Sequence, residues 1–208
     1  RAGSFDSQEF WLQHGGTHAD WDISFSFEWQ TTDGDRDRVI QRDFQTTLDE
    51  HPDIRSSASL APGSLDTRYD LFNTHLGIGR GDWQLHLWNW RLDDAGVGAG
   101  ALQTLDPHGF QRNDLYLADL AWNNSDLFRN WELSSRLSYQ HLDNQIEYQI
   151  FPAGSRLPIG GDGNVDLSRI YSRIDPDDLT YFPAGYLGQP GATSQVLSFE
   201  QALVFTGW

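Results

Sequence analysis

Six residues of this chain have types and spacing that invite chemistry: His75, His86, Trp88, Trp90, Asp119 and Arg136. His75 and His86 flank a tight turn at Arg80–Gly81. Folding the chain there, with Ile78 opposite Trp83 and Leu76 opposite Leu85, makes the two imidazoles direct cross-strand neighbours. Two histidines supply only part of a zinc ligand set, and no third ligand accompanies them, so no metal is expected. Their expected work is hydrogen bonding to whatever packs on that face. Trp88 and Trp90 follow His86 on the same face of their strand, as apolar platforms for a ligand or for a packed segment. Asp119 and Arg136 fall on neighbouring strands and are expected to form an ionic network. Asp33, Asp35 and Asp37, and separately Asp162, Asn164 and Asp166, space oxygens as a calcium loop does. The positions that need Gly and Glu hold Arg38 and Phe44, or Leu167 and Arg173, so solvated acidic loops are expected instead. No catalytic residue and no cofactor are expected, because the acids gather in loops such as "TTDGDRDR" and "RIDPDDL".

The elements that must position these residues are strands. The 208 residues contain no long amphipathic helical stretch, and short alternating runs are separated by Gly, Asp, Asn and Pro clusters. Seven strands are predicted, at 5–14, 21–31, 68–79, 83–92, 113–122, 131–150 and 194–206. Within 21–31, Trp21, Ile23, Phe25, Phe27 and Trp29 alternate with Asp22, Ser24, Ser26, Glu28 and Gln30. The connections alternate as well. Short turns ("GGTHAD", "RG", "NNSDLFRN") take turns with long segments at 32–67, 93–112 and 151–193. Long loops are uncommon in compact domains, whereas short turns at one end and long loops at the other are the plan of an outer-membrane barrel.

Composition narrows the functional classes. The net charge of −16, with no Lys/Arg cluster, argues against a nucleic-acid partner. Cysteine is absent, which removes disulfides, thiolate metal sites and thiol nucleophiles. No apolar run is long enough for a membrane-spanning helix, but a barrel strand needs only about ten residues, half of them apolar. Methionine is also absent, and the chain is expected to be a mature chain or a fragment.

Trp21, Trp83 and Trp131 each begin a strand just after a short turn, and Trp122 closes one on the descending side. In a transmembrane barrel these four would form an aromatic girdle at the periplasmic membrane interface, where amphipathic rings collect. The second hairpin is predicted to pair Trp122 with Trp131, Leu120 with Leu133, and Leu117 with Arg136. A soluble sandwich would show the same alternation but would bury Trp21, Ile23, Phe25 and Phe27 under a second sheet.

With strands, turns and loops placed, the chain resembles the TonB-dependent outer-membrane receptors. The stretches that carry the resemblance are "GSFDSQEFWLQHGGTHADWDISFSFEWQTTDGDRDR" (3–38), "GDWQLHLWNWRLDDAGVGAGALQTLDPHGF" (81–110) and "DLYLADLAWNN…NWELSSRLSYQHLDN" (114–144). The resemblance implies that 1–208 is an all-β, antiparallel up-and-down segment of a transmembrane barrel, roughly a third of a receptor of about 22 strands, without its plug domain or TonB box. It further implies residence in the bacterial outer membrane and import of a scarce small-molecule ligand, such as a ferric siderophore, with energy from the TonB complex. The partners implied are outer-membrane lipid, the plug domain and the ligand. His75, His86, Trp88, Trp90, Asp119 and Arg136 would then face the lumen, towards plug or ligand. The alternatives are a passive porin-like barrel and a soluble carbohydrate-binding sandwich.

Overall fold

The computed structural model describes residues 1–128 and 130–205, with the side chains of 126–128 excepted. Arg129 of the third short turn and Thr206, the last predicted strand residue, lie outside the described residues. Seven long strands make one antiparallel meander: β1 (Gln8–His18), β2 (Trp21–Thr32), β5 (Tyr69–Arg80), β6 (Trp83–Ala95), β7 (Phe110–Phe128), β8 (Trp131–Phe151) and β12 (Gly191–Phe205). Each pairs with the next in chain order. Among the described residues the sheet does not close on itself: β1 is one edge, and at the other β12 pairs with β8 together with a short eighth strand, β11 (Tyr186–Gly188), at the far end of β8.

The predicted faces are present, but the registers are shifted. The β5–β6 hairpin closes with Arg80 opposite Trp83, so its turn is Gly81–Asp82, one residue later than expected. Gly81 takes φ 55°, a region that costs a glycine nothing. Ile78 therefore faces Leu85, and Leu76 faces Leu87. The β7–β8 hairpin is longer than expected. The "NNSD" segment continues β7 instead of turning, so Trp122 faces Ser135 and Leu120 faces Leu137. Both shifts are by an even number of positions, so each side chain keeps its face while changing its partner.

One face of the meander is a continuous apolar band. The register aligns Ile23, Ile78, Leu85, Leu120, Leu137 and Phe199 in one row, and Phe25, Leu76, Leu87, Ala118, Tyr139 and Leu197 in the next. Thr74, Ser135 and Gln201 interrupt the band. It also slants across the rows. At one side it includes Phe10, Trp29 and Phe72, a row that continues as Arg91, Asp114 and Asp143. At the other side it descends to the Leu133–Leu203 and Trp131–Phe205 pairs. From β1 to β12 the centre of the band slides by roughly one residue per strand, a stagger of about 3.3 Å against a strand spacing of about 4.8 Å.

No second sheet covers this band among the described residues. Trp21 is 42 % exposed, Phe199 65 % and Leu197 71 %. Of the four residues a sandwich would bury, Trp21 and Ile23 are exposed and Phe25 and Phe27 only half-buried, so the sandwich expectation is not met. The hydrophobic core lies elsewhere, in the long connections. These fold into β3 (Val39–Ile40), α1 (Phe44–Asp49), β4 (Gly63–Ser64), β9 (Ser155–Pro158), β10 (Leu179–Phe182), β11 (Tyr186–Gly188) and short 3₁₀ turns. Leu48, Ile54, Phe151, Leu157 and Ile174 form the buried cluster, flanked by Phe44, Val165, Ile170 and Phe182.

The cap is stapled across large sequence separations. Asp43 is the N-cap of α1, accepting from the Thr46 N–H, and its other oxygen accepts from the Leu105 N–H at 2.9 Å. Asp106, 1 % exposed, accepts from the Gly109 and Gln149 N–H groups. Ser155 donates to Gln45 at 3.1 Å, and the Ile174 N–H donates to Asp53 at 2.9 Å. The long connections are therefore a folded cap at one end of the sheet. The two-residue hairpin turns lie at the other end.

Candidate functional site on the polar face

The face opposite the apolar band carries the sequence-predicted site residues. They separate into two clusters. The first centres on Trp88. Its Nε1–H donates to Asn73 Oδ1 at 2.8 Å, and His75 stacks on its ring, with centroids 5.4 Å apart and planes 11° from parallel. Asn73 Nδ2 donates in turn to Glu28 Oε2 at 3.3 Å, and Gln30 Nε2 donates to Glu28 Oε1 at 2.7 Å. The Tyr69 hydroxyl completes the chain by donating to Gln30 Oε1 at 3.3 Å. Three adjacent strands, β2, β5 and β6, thus supply one connected network with a carboxylate in the middle. Every shared hydrogen bond in it restricts a rotamer, so Trp88 and Glu28 are held before any ligand arrives.

His75 and His86 are not direct neighbours. The later turn sets His75 opposite Trp88 and His86 opposite Gly77, which corrects the sequence expectation. The absence of a side chain at Gly77 lets the His86 ring lie over the strand. A Cβ there would come within 3.3 Å of His86 Nδ1. On its other flank His86 faces Asp119.

Asp119 and Arg136 do meet, in the second cluster. Arg136 Nε donates to Asp119 Oδ1 at 2.7 Å, and the Ser138 hydroxyl donates to the same oxygen at 2.8 Å. Arg136 lies opposite Ala121, not Leu117 as predicted, and reaches Asp119 diagonally. Asp119 is 7 % exposed, while the guanidinium remains half exposed. Ser138 gives its proton to a carboxylate already paired with arginine, so this trio orders the strands and activates no nucleophile.

Between the hairpin turns and these clusters runs a groove of about 370 Å³ lined by Gly15, Gly16, Ser24, Gly77, Gln84 and His86, among others. A second cavity, of about 530 Å³, lies in the cap between Ile40, Phe44, Leu65, Ala99 and Leu105, with Arg42 and Gln103 at its wall. No group of three or more His, Cys, Asp or Glu side chains able to hold a metal occurs among the described residues. Asp162 instead orders its own turn by accepting from the Asn164 N–H and side-chain amide.

Trp21, Trp83, Trp122 and Trp131 all lie on the apolar face, near the hairpin-turn end. Trp83 packs against Trp122 with centroids 6.2 Å apart, Arg80 sits 5.0 Å over the Trp21 ring, and Trp131 contacts Phe205 at 5.1 Å. The expected Trp122–Trp131 pairing is replaced by these contacts. Sequence reasoning missed Glu28, Asn73, Gln30, Tyr69 and Trp11 as members of the polar face's network and rows, because only the register brings them beside Trp88 and Trp90. No family model, curated protein or solved structure matches this chain.

Proposed function

We propose that this chain is part of the wall of a bacterial outer-membrane β-barrel that passes a small-molecule ligand. The slanted apolar band carries the proposal. A stagger of about 3.3 Å per 4.8 Å strand spacing corresponds to strands tilted about 35°, and transmembrane barrels tilt their strands 35–45° so that a level lipid belt crosses the hydrogen-bonded rows obliquely. A sheet covered by another protein layer has no need for its apolar stripe to climb in this way. Three further features support the proposal: aromatic residues cluster at the lower margin, charged residues such as Arg91, Asp114 and Asp143 bound the upper margin, and the opposite face is polar and hydrogen-bonded. The open edges at β1 and β12 would then be taken by further barrel strands, since lipid tolerates no unpaired strand edge.

The resemblance to TonB-dependent receptors extends this to energy-coupled import of a scarce ligand such as a ferric siderophore, with a plug domain against the polar face. Fractionation tests the location. The protein is expected in the outer-membrane fraction, resisting alkaline carbonate and high salt. Recovery in the soluble fraction would end the proposal. Uptake measured with and without an uncoupler separates the receptor from a passive porin: a receptor loses ligand accumulation when the proton-motive force collapses, and a porin does not.

A further inference from the structure

The row that crosses the polar face through Trp90 runs Trp11, Glu28, Asn73, Trp90. Two indoles bracket a carboxylate and an amide. Three strand spacings of about 4.8 Å put the rings roughly 14 Å apart along the row. Trp11 is 57 % exposed, although it lies on the polar face and not in the apolar band. Neither indole N–H has a hydrogen-bond partner among the described residues. The polar pair between them is already ordered: Glu28 is held by Gln30 and Asn73, and Asn73 by Trp88. Each Glu28 oxygen keeps a second lone pair, and Asn73 keeps a second N–H.

We propose that this row is a binding track for a neutral, linear oligosaccharide. A pyranose ring presents axial C–H hydrogens of partial positive charge to the negative face of an indole, and its equatorial hydroxyls need paired donors and acceptors in the same plane. Aromatic platforms with a fixed carboxylate and amide between them supply both requirements, as ligand sites do with a few placed polar groups among apolar ones. Charge sets the class further. On this face Glu9, Asp22, Glu28, Asp119, Glu132 and Glu200 stand, among the described residues, against two guanidiniums, that of Arg136 and that of Arg1, which lies 3.9 Å from Glu9. That surplus repels uronate, sulfate and phosphate groups and leaves neutral chains. The inference goes beyond the barrel-wall proposal and does not depend on it. The row would take the same ligand on a sheet outside any membrane, so a soluble fractionation result would leave it standing.

Calorimetry on the purified protein tests the track, in an amine-oxide detergent that carries no sugar headgroup. Maltohexaose, cellohexaose and N-acetylchitohexaose are titrated, with an oligogalacturonate of similar length as the acidic counterpart. At least one neutral chain is expected to give saturable heat, and the oligogalacturonate none. Trp11→Ala and Trp90→Ala are each expected to weaken affinity by about tenfold or more, as loss of a central aromatic contact does. Trp83→Ala, on the opposite face, is expected to leave binding unchanged. Trp11 is an exposed residue of an edge strand, so its variant should keep the parent's melting temperature and report on binding alone. The proposal is overturned if none of the three neutral chains binds, if the oligogalacturonate binds as tightly, or if Trp11→Ala binds like the parent.

Discussion

Asp43 shows how one carboxylate can hold two distant segments. Burial alone would push its pKa up, but the Leu105 N–H, the Ser59 hydroxyl and the Thr46 donors outweigh that and hold it below the usual carboxylate range. A carboxylate with a depressed folded pKa contributes stability that is present above its unfolded value of about 3.9 and is lost as pH falls through the lower folded value. Corrected hydrogen exchange at the Leu105 amide should therefore stay slow from neutral pH down to about pH 5, and quicken only below about pH 4. In Asp43→Ala the same amide should exchange fast at every pH, and the cap should lose about 1–3 kcal/mol from the missing cap and the unpaired buried donor. An unchanged Leu105 protection in that variant would show that the staple is not needed. The sequence expectation for 32–67 is a loop, so this cap was not foreseen, although the Asp43–Thr46 spacing itself is legible. The Leu105 partner is not, because nothing local marks a backbone N–H sixty-two positions away as its donor.

At the scale of elements, turn chemistry decides what each strand meets. Gly81, at φ 55° with open space around its Cα, should lose about 1–2 kcal/mol on replacement by valine, from backbone strain alone. A heat-unfolding midpoint unchanged in Gly81→Val would contradict that turn geometry. The seven long strands were readable because alternation has a period of two and survives any even slip. The partners were not. A turn centre misplaced by one residue separated His75 from His86, and reading "NNSD" as a turn separated Trp122 from Trp131. The cap was read as loop, because its small core joins residues such as Gln45 and Ser155, more than a hundred positions apart, and no local period announces such contacts. The polar network failed to show for the same reason. Glu28 and Asn73 are unremarkable in sequence and become a site only when β2, β5 and β6 lie side by side.

The whole molecule has an inverted distribution of apolar side chains. Its buried core sits in the connections at one end, while the widest apolar surface lies bare on the sheet. In the proposed barrel wall, lipid would be the solvent that stabilises such a surface, and the slant of the band would give the tilt at which it lies. On the apolar face Leu137→Arg should destabilise the inserted protein by about 2–4 kcal/mol if it sits near the bilayer midplane, whereas Ser138→Arg, one residue on and facing the other way, should cost far less. Equal costs in denaturant titrations of the two variants would remove the distinction between the faces. The most direct test uses the absence of native cysteine: single cysteines placed in turn along 195–204 and spin-labelled in outer-membrane vesicles. The account predicts a two-residue oscillation, with high collision rates for oxygen at 197, 199 and 203 and for a water-soluble nickel chelate at 196, 198 and 200. A flat profile, or high nickel accessibility at 197 and 199, would contradict a lipid-facing band and with it the barrel wall.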